Sequence, residues 1–155
     1  MAPSGQQVNL MSLPLPQLNV LKEQVEQEIE VMQNSLQQLK VAQNKFMESK
    51  ACMEKFTPEN EGKPVLVPLT SSLYVPGELK DVENVLIDIG TGYFAEKTLP
   101  DAKDYFQRKV EFTTKQMERV QPILIEKSKM RQVITEVMSL KIQAQMSQQQ
   151  PGGSK

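Results

Sequence analysis

The chain of 155 residues has room for one ordinary domain, and its 39% apolar and 24% charged residues are typical of a soluble protein. Its 18 basic and 19 acidic residues are interspersed and give a formal net charge of −1, so we expect no nucleic-acid-binding surface. No run of about eighteen apolar residues occurs, and we expect no membrane attachment.

Cysteine and histidine usage limits the chemistry that this chain can perform. A single cysteine, Cys52, cannot form an internal disulfide, and we expect a reduced, cytoplasmic protein, with the nucleus left open as a further compartment. The chain contains no histidine, which excludes a Cys/His active site. We predict a non-enzymatic protein with no catalytic residue, no metal site and no cofactor.

The first predicted element is a long helix over residues 16–56. Residues 1–13 are predicted to be a flexible tail, because their mix of proline, glycine, glutamine and scattered apolar residues cannot bury a core. Pro16 suits a first helical turn, and no glycine or proline follows it before Pro58. Every seventh residue is apolar, which predicts a coiled-coil seam of Leu18, Val25, Met32, Leu39, Phe46 and Met53.

Two β-hairpins are predicted over residues 64–98. Apolar runs at 65–69 and 73–75 flank a Thr-Ser-Ser turn, and runs at 85–89 and 93–95 flank Gly90-Thr91-Gly92. The glycines favour a hairpin turn over a phosphate loop, because no Lys-Ser/Thr follows them and the next segment is a strand. Four short strands cannot form a core of their own, so other chains are expected to complete the sheet.

A second long helix is predicted over residues 101–146, followed by a flexible tail at 147–155. Phe106, Val110, Thr113, Met117 and Val120 alternate in steps of four and three, which is the spacing of a seam. The apolar pattern then shifts to a set formed by Ile123, Met130, Ile134, Val137 and Ala144. Because Pro122 lies at this shift, we predict one continuous helix that is kinked there.

The fold class predicted from these elements is α+β, an antiparallel helical hairpin with two β-hairpins between its helices, over residues 14–146. This order, together with the motifs Leu66-Val67-Pro68-Leu69-Thr70-Ser71-Ser72-Leu73-Tyr74-Val75-Pro76-Gly77 and Val85-Leu86-Ile87-Asp88-Ile89-Gly90-Thr91-Gly92-Tyr93-Phe94, resembles the α class of prefoldin subunits, the eukaryotic ones most closely. The resemblance implies a hexamer of two α-type and four β-type subunits, in which hairpins build a double β-barrel. It also implies an ATP-independent co-chaperone that passes unfolded clients such as actin and tubulin to the cytosolic group II chaperonin.

Two candidate sites follow. An antiparallel pair of helices places its free ends together, so client binding is predicted at a tip formed by Leu15, Leu18, Leu21, Met138, Leu140, Ile142 and Met146. These side chains are expected to be less buried than the rest of the seam. Subunit assembly is assigned to the apolar residues of the hairpins, namely Leu66, Leu69, Leu73, Tyr74, Val75, Leu86, Ile87, Ile89, Tyr93 and Phe94.

One alternative function stays open. A scaffolding coiled coil that binds a defined folded partner within a prefoldin-like complex has the same helical pattern. An aggregation-suppression assay on the assembled complex distinguishes a chaperone from such a scaffold.

Overall fold

The computed structural model describes residues 9–148, and most of the two predicted tails, 1–13 and 147–155, lies outside the described residues. Two long helices enclose four strands in chain order, as predicted. The elements are α1 (Leu15–Met53), β1 (Pro64–Pro68), β2 (Tyr74–Glu78), β3 (Asn84–Gly90), β4 (Tyr93–Thr98) and α2 (Leu99–Gln148), with short 3-10 turns at Leu10–Ser12 and Pro58–Asn60. No helix within the described part of the chain is long and apolar enough to cross a membrane.

The inner ends of both helices differ from the predicted bounds by two or three residues. The α-helical pattern of α1 ends at Met53, and residues 54–56 continue as tighter turns in which each N–H bonds to the carbonyl three residues earlier. Pro58 disfavours helical backbone at Thr57, so the chain leaves the helix there. Helix α2 begins at Leu99 because Pro100 is tolerated in a first turn, and the Thr98 hydroxyl accepts a hydrogen bond from the Asp101 amide.

The chain divides into two compact units. The helical unit comprises Met1–Gln37 and Glu118–Lys155, and the hairpin unit comprises Gln38–Met117. In the helical unit the helices run antiparallel, since Glu28 pairs with Lys127 and Leu13 with Lys141. In the hairpin unit they do so as well, since Gln43 bonds to Thr114 and Lys50 to Gln107.

Apolar side chains from both helices form the core of the helical unit. Leu18 and Ile134 are fully enclosed, and Val25, Ile29 and Val137 are buried beside them. Farther along the seam predicted for α1, Met53 is buried, whereas Met32, Leu39 and Phe46 are partly buried. The heptad spacing therefore identified the buried face of α1.

The seam of α2 keeps its phase beyond Pro122, contrary to the prediction. Val120, Leu124 and Lys127 are the partly buried residues at alternating steps of four and three, whereas Ile123 and Met130 are exposed. The apparent shift arose because a charged residue, Lys127, occupies a seam position that was expected to be apolar. The helix is continuous through Pro122, as predicted. The kink at this residue stays a prediction.

Hairpin B, which consists of β3 and β4, packs one face against the helices of its unit. Ile87 is buried in a cluster with Met53 and Ala102. The strands are joined by a two-residue turn in which Thr91 (φ 51°) and Gly92 (φ 79°) both have positive φ, as a type I′ turn requires. The register shifts between Asp88 and Gly90, which places one extra residue in β3.

Hairpin A, which consists of β1 and β2, is exposed along almost its whole length. The Thr70 hydroxyl stabilises its turn by accepting hydrogen bonds from the amides of Ser72 and Leu73. Each hairpin is a separate two-stranded sheet, so residues 9–148 of the single chain form no closed barrel. Two separate two-stranded sheets agree with the expectation that strands of other subunits complete the sheet.

Candidate functional site

The segment before α1 is ordered, although the sequence predicts a flexible tail through residue 13. A 3-10 turn spans Leu10–Ser12, and the Asn9 side chain accepts a hydrogen bond from the Met11 amide. Leu10 and Leu13 pack against the core of the helical unit. The ammonium group of Lys141 donates a hydrogen bond to the Leu13 carbonyl at 2.6 Å. This turn therefore covers the start of α1.

The turn explains why part of the predicted tip is not exposed. Leu18 is completely buried, and Leu15, Leu21 and Met138 are partly buried. The expectation that this end is less buried than the rest of the seam is wrong for Leu18, because it lies against Ile134 and Val137, and Leu10 and Leu13 pack on the same cluster. The sequence did contain a signal for this turn, since Asn9 is a capping residue followed by two leucines three positions apart.

The last turns of α2 keep the predicted apolar surface. Leu140 is 56% exposed, Ile142 is 46% exposed and Met146 is 68% exposed. Residues four apart share a face of a helix, so Ile142 lies near Met146, whereas Leu140 is rotated away from Ile142 by about 200°. Leu140 instead shares a face with Val133, which is also exposed. The apolar surface therefore forms two strips instead of one patch.

One exposed apolar residue on the N-terminal side, Val20, was missed by the sequence prediction. Met11, whose flexible thioether the sequence had suggested as an apolar contact near the free ends of the helices, is exposed as well. Val20 lies outside the heptad column, which is why a search based on seam spacing did not select it. The exposed set at this end, here called the terminal apolar surface, consists of Met11, Val20, Val133, Leu140, Ile142 and Met146.

One ion pair connects the two helices of the helical unit. The Lys127 ammonium lies 2.6 Å from a carboxylate oxygen of Glu28, and both side chains are about one-third exposed. The hydrogen bond and the positive charge of Lys127 lower the pKa of Glu28 below its ordinary value. The pair therefore links the helices at a seam position without burying an uncompensated charge.

Nine of the ten residues predicted for assembly are exposed in the single chain. On hairpin A these are Leu66, Leu69, Leu73, Tyr74 and Val75, and on hairpin B they are Leu86, Ile89, Tyr93 and Phe94. Large apolar and aromatic side chains in such a contiguous segment are typical of a surface that another protein covers. The structure thus brings these residues together on two hairpins of one unit.

Ile87 is the exception among the predicted assembly residues. It is only 4% exposed, whereas its neighbour Leu86 is 71% exposed. Side chains alternate between the two faces of a strand, and Ile87 points toward Met53 and Ala102 of its own chain. Its assignment to a partner-facing surface is therefore wrong, and its role is to attach hairpin B to the helices.

The titratable groups do not assemble a reactive centre in the part of the chain that the structure describes. Within residues 9–148, no group of three or more cysteine, aspartate or glutamate side chains could hold a metal ion. Asp81 has a lowered pKa because its carboxylate accepts hydrogen bonds from the amides of Glu83 and Asn84, which is a turn-stabilising role.

The chain is similar to known prefoldin subunits over most of its length. The family model described as "Prefoldin subunit" matches residues 25–147. The chain is 57% identical over 139 residues to human prefoldin subunit 5, covering 90% of each chain, and 45% identical over 154 residues to the probable prefoldin subunit 5 of Dictyostelium discoideum, covering 96% of each.

A solved structure shows the same fold. A chain of the filamentous PFD from Methanocaldococcus jannaschii superposes with a TM-score of 0.64 at 21% identity, covering 74% of this chain and 96% of that chain. The predicted resemblance is thereby confirmed. The chain belongs to the prefoldin family of non-enzymatic chaperones, as a co-chaperone subunit that assembles with other prefoldin subunits.

Proposed function

We propose that this chain captures unfolded proteins through the terminal apolar surface of its helical unit, within a hexamer of two α-type and four β-type subunits. The complex then delivers its clients, such as actin and tubulin, to the cytosolic group II chaperonin without ATP. We assign this activity to the cytoplasm. The observation that supports client binding most directly is the exposure of Leu140, Ile142 and Met146 at the end of α2.

Exposed apolar side chains favour contact with the apolar groups of an unfolded chain. Apolar groups held in solvent on an ordered helix gain free energy when another apolar surface covers them, at roughly 25 cal/mol per Å². An unfolded chain offers such groups along its length, and the flexible thioether of Met146 adapts to different neighbours. Each contact is weak, but several subunits acting on one client raise the avidity without new chemistry.

The terminal apolar surface lies on packed, ordered helices. The enclosed residues Leu18 and Ile134 hold the two helices together, and the bond from Lys141 to the Leu13 carbonyl fixes the preceding turn. The exposed side chains are therefore presented on an ordered framework. A framework of this kind lowers the entropy lost on binding a client.

The hairpins are proposed to provide assembly. Leu66, Leu73, Tyr74 and Phe94 are exposed in the single chain, and partner strands would remove them from water. Assembly and client capture thus depend on different residues in different units. They should be separable by mutation.

The test replaces Leu140, Ile142 and Met146 together by serine in the reconstituted complex. We expect an assembled complex whose suppression of aggregation of an unfolded client is partly lost, because each covered side chain contributes at most about 1.5–3 kcal/mol and other subunits remain. The matched control replaces Val31, Ile123 and Ile125, which are exposed in the same unit away from the ends of the helices, by serine. Equal capture by both assembled variants would favour the alternative, a scaffold that binds a folded partner.

A further inference from the structure

A cleft of about 290 Å³ lies on the surface of α2 within the hairpin unit. It is lined by Tyr105, Arg108, Lys109 and Phe112. These residues follow one another in steps of three, one and three, so they share one face of the helix. An aromatic ring therefore lies at each end of the cleft, about 10 Å apart along the helix axis, and two cations lie between the rings.

Tyr105 is fixed in place at one end of the cleft. Its ring packs edge-to-face on the ring of Phe106 at 5.3 Å, and Phe106 lies 6.3 Å from the ring of Phe46 on α1. The ammonium groups of Lys97 and Lys109 lie 6.0 Å and 5.5 Å from the centre of the Tyr105 ring. At these distances the face of the ring attracts a cation. Tyr105 therefore brings Lys97 of β4 to the cleft as a third positive charge.

The three cations are poorly neutralised by their own chain. Within residues 9–148, neither Lys97 nor Lys109 forms an ion pair. Arg108 lies 2.9 Å from a carboxylate oxygen of Asp104, but both side chains are about two-thirds exposed, so water screens this pair. Contact with a ring orients an ammonium group without cancelling its charge. The cleft therefore keeps a positive potential.

Acidic residues border the cleft but do not line it. Asp101 lies in the preceding turn of α2. Glu48 and Asp88 line a separate groove beside β3, to which Lys109 also contributes. None of these three carboxylates forms an ion pair in the part of the chain that the structure describes. They limit the cleft on two sides and leave its cations available.

Phe112 forms the other, apolar end of the cleft. Its ring is 58% exposed, whereas the neighbouring seam residues Val110 and Thr113 are partly or fully buried. An exposed ring gains free energy when an apolar group covers it. The cleft therefore combines a site for negative charge with a site for an apolar side chain.

We propose that the basic cleft, formed by Lys97, Tyr105, Arg108, Lys109 and Phe112, binds an acidic peptide segment of a protein outside the prefoldin complex. In this segment, carboxylates flank an aromatic or large aliphatic residue. The carboxylates pair with the three cations, and the apolar side chain covers Phe112. The inference goes beyond client capture, because the cleft belongs to the hairpin unit and the terminal apolar surface to the helical unit.

Charge distinguishes this partner from two others. The nine exposed residues assigned to assembly are all uncharged, and charged side chains are depleted in the centres of permanent interfaces, so another subunit fits the cleft less well. Charge pairs instead speed association and weaken with salt, which suits a partner that binds and leaves. A nucleic acid carries a phosphate at every nucleotide, and its backbone would meet Asp101 and Asp104 along α2. A peptide can place its carboxylates opposite the cations alone.

The mutational test measures binding of a dye-labelled peptide, in which two glutamates precede and two follow a phenylalanine, to the reconstituted complex by fluorescence anisotropy. The variant carries Arg108→Gln and Lys109→Gln, which remove charge and keep helix propensity. The matched control carries Lys55→Gln and Lys80→Gln, at exposed positions of the same unit. We expect the cleft variant to bind the peptide at least about tenfold more weakly than the wild type, and the control within about twofold. No binding to the wild-type complex at about 1 mM peptide, or an equal loss in both variants, would overturn the proposal.

Changes to the probe test the chemistry of the partner. Replacing the glutamates of the peptide by glutamine should weaken binding at least about tenfold, and replacing its phenylalanine by serine at least about threefold. Phe112→Ser should weaken binding of the original peptide by a similar factor of at least about three. A single-stranded thymidine oligonucleotide that binds more tightly than the peptide, or a peptide without phenylalanine that binds equally well, would overturn the assignment.

Two further measurements separate the basic cleft from the other surfaces. The complex with serine at positions 140, 142 and 146 should bind the peptide within about twofold of the wild type, and an equal loss there would show that the peptide is held as a client. The complex with Arg108→Gln and Lys109→Gln should stay intact by native mass spectrometry and capture clients normally. Its dissociation would assign the cleft to a contact between subunits and overturn the proposal.

Discussion

The ordered end of the helical unit depends on Ile134, and replacing it by alanine should loosen that unit. Ile134 is fully enclosed among Leu18, Val25 and Ile29, so Ile134→Ala removes buried carbon atoms and leaves a cavity. Such substitutions cost about 2–5 kcal/mol. The neighbouring Val133 is 46% exposed, and Val133→Ala should cost less than about 0.5 kcal/mol. Both changes raise helix propensity by similar amounts, so their difference reports burial.

Hydrogen exchange in the assembled complex measures this difference. A loss of about 2–5 kcal/mol in the free energy of unfolding corresponds to amide exchange at least about thirtyfold faster in residues 118–148. The total free energy of unfolding of this region sets the upper limit of that increase. We expect no change in the hairpin unit, and reduced client capture by the Ile134→Ala complex. Equal exchange rates for the two variants would refute the assignment of Ile134 to the core that supports the terminal apolar surface.

Three further predictions concern single interactions. Lys127 lowers the pKa of Glu28, so the stability from this pair is present above the unfolded pKa of about 4.3 and is lost as pH falls through the lower folded value. Between pH 7 and 3, the thermal unfolding temperature of Lys127→Met should therefore decrease less than that of the wild type. An equal decrease in both would contradict the pairing. Thr91 has a φ of 51°, so Thr91→Gly should stabilise hairpin B by up to about 1 kcal/mol, seen as slower amide exchange at residues 84–98. Pro122→Ala should stabilise α2 by at most about 3 kcal/mol, and unchanged exchange around residue 122 would show that the proline costs nothing there.

Periodicity predicted the elements of this fold well. The column from Leu18 to Met53 identified the buried face of α1, and the glycines beside Thr91 identified the turn of hairpin B. Both signals are local, because helix spacing and turn conformation depend on residues close in sequence. The elements of the single chain could therefore be predicted without knowledge of long-range contacts.

Errors arose where a contact with another segment decided the outcome. Lys127 occupies the seam because Glu28 on the other helix pairs with it, and the sequence of α2 alone suggested a change of face. Leu18 is buried partly by the turn at Leu10–Ser12, which composition had assigned to a tail. Ile87 faces its own helices, a fact that the apolar run in β3 could not reveal because the residues on both faces are apolar.

Site-specific photo-cross-linking shows whether clients contact the terminal apolar surface. A photoreactive amino acid is placed at Ile142, or at Met47 in the hairpin unit as a control, because both positions are about half exposed. The assembled complexes are then irradiated with an unfolded client. We predict client adducts from position 142 and few from position 47. Adducts that form mainly from position 47, or equally from both, would contradict client binding at the terminal apolar surface.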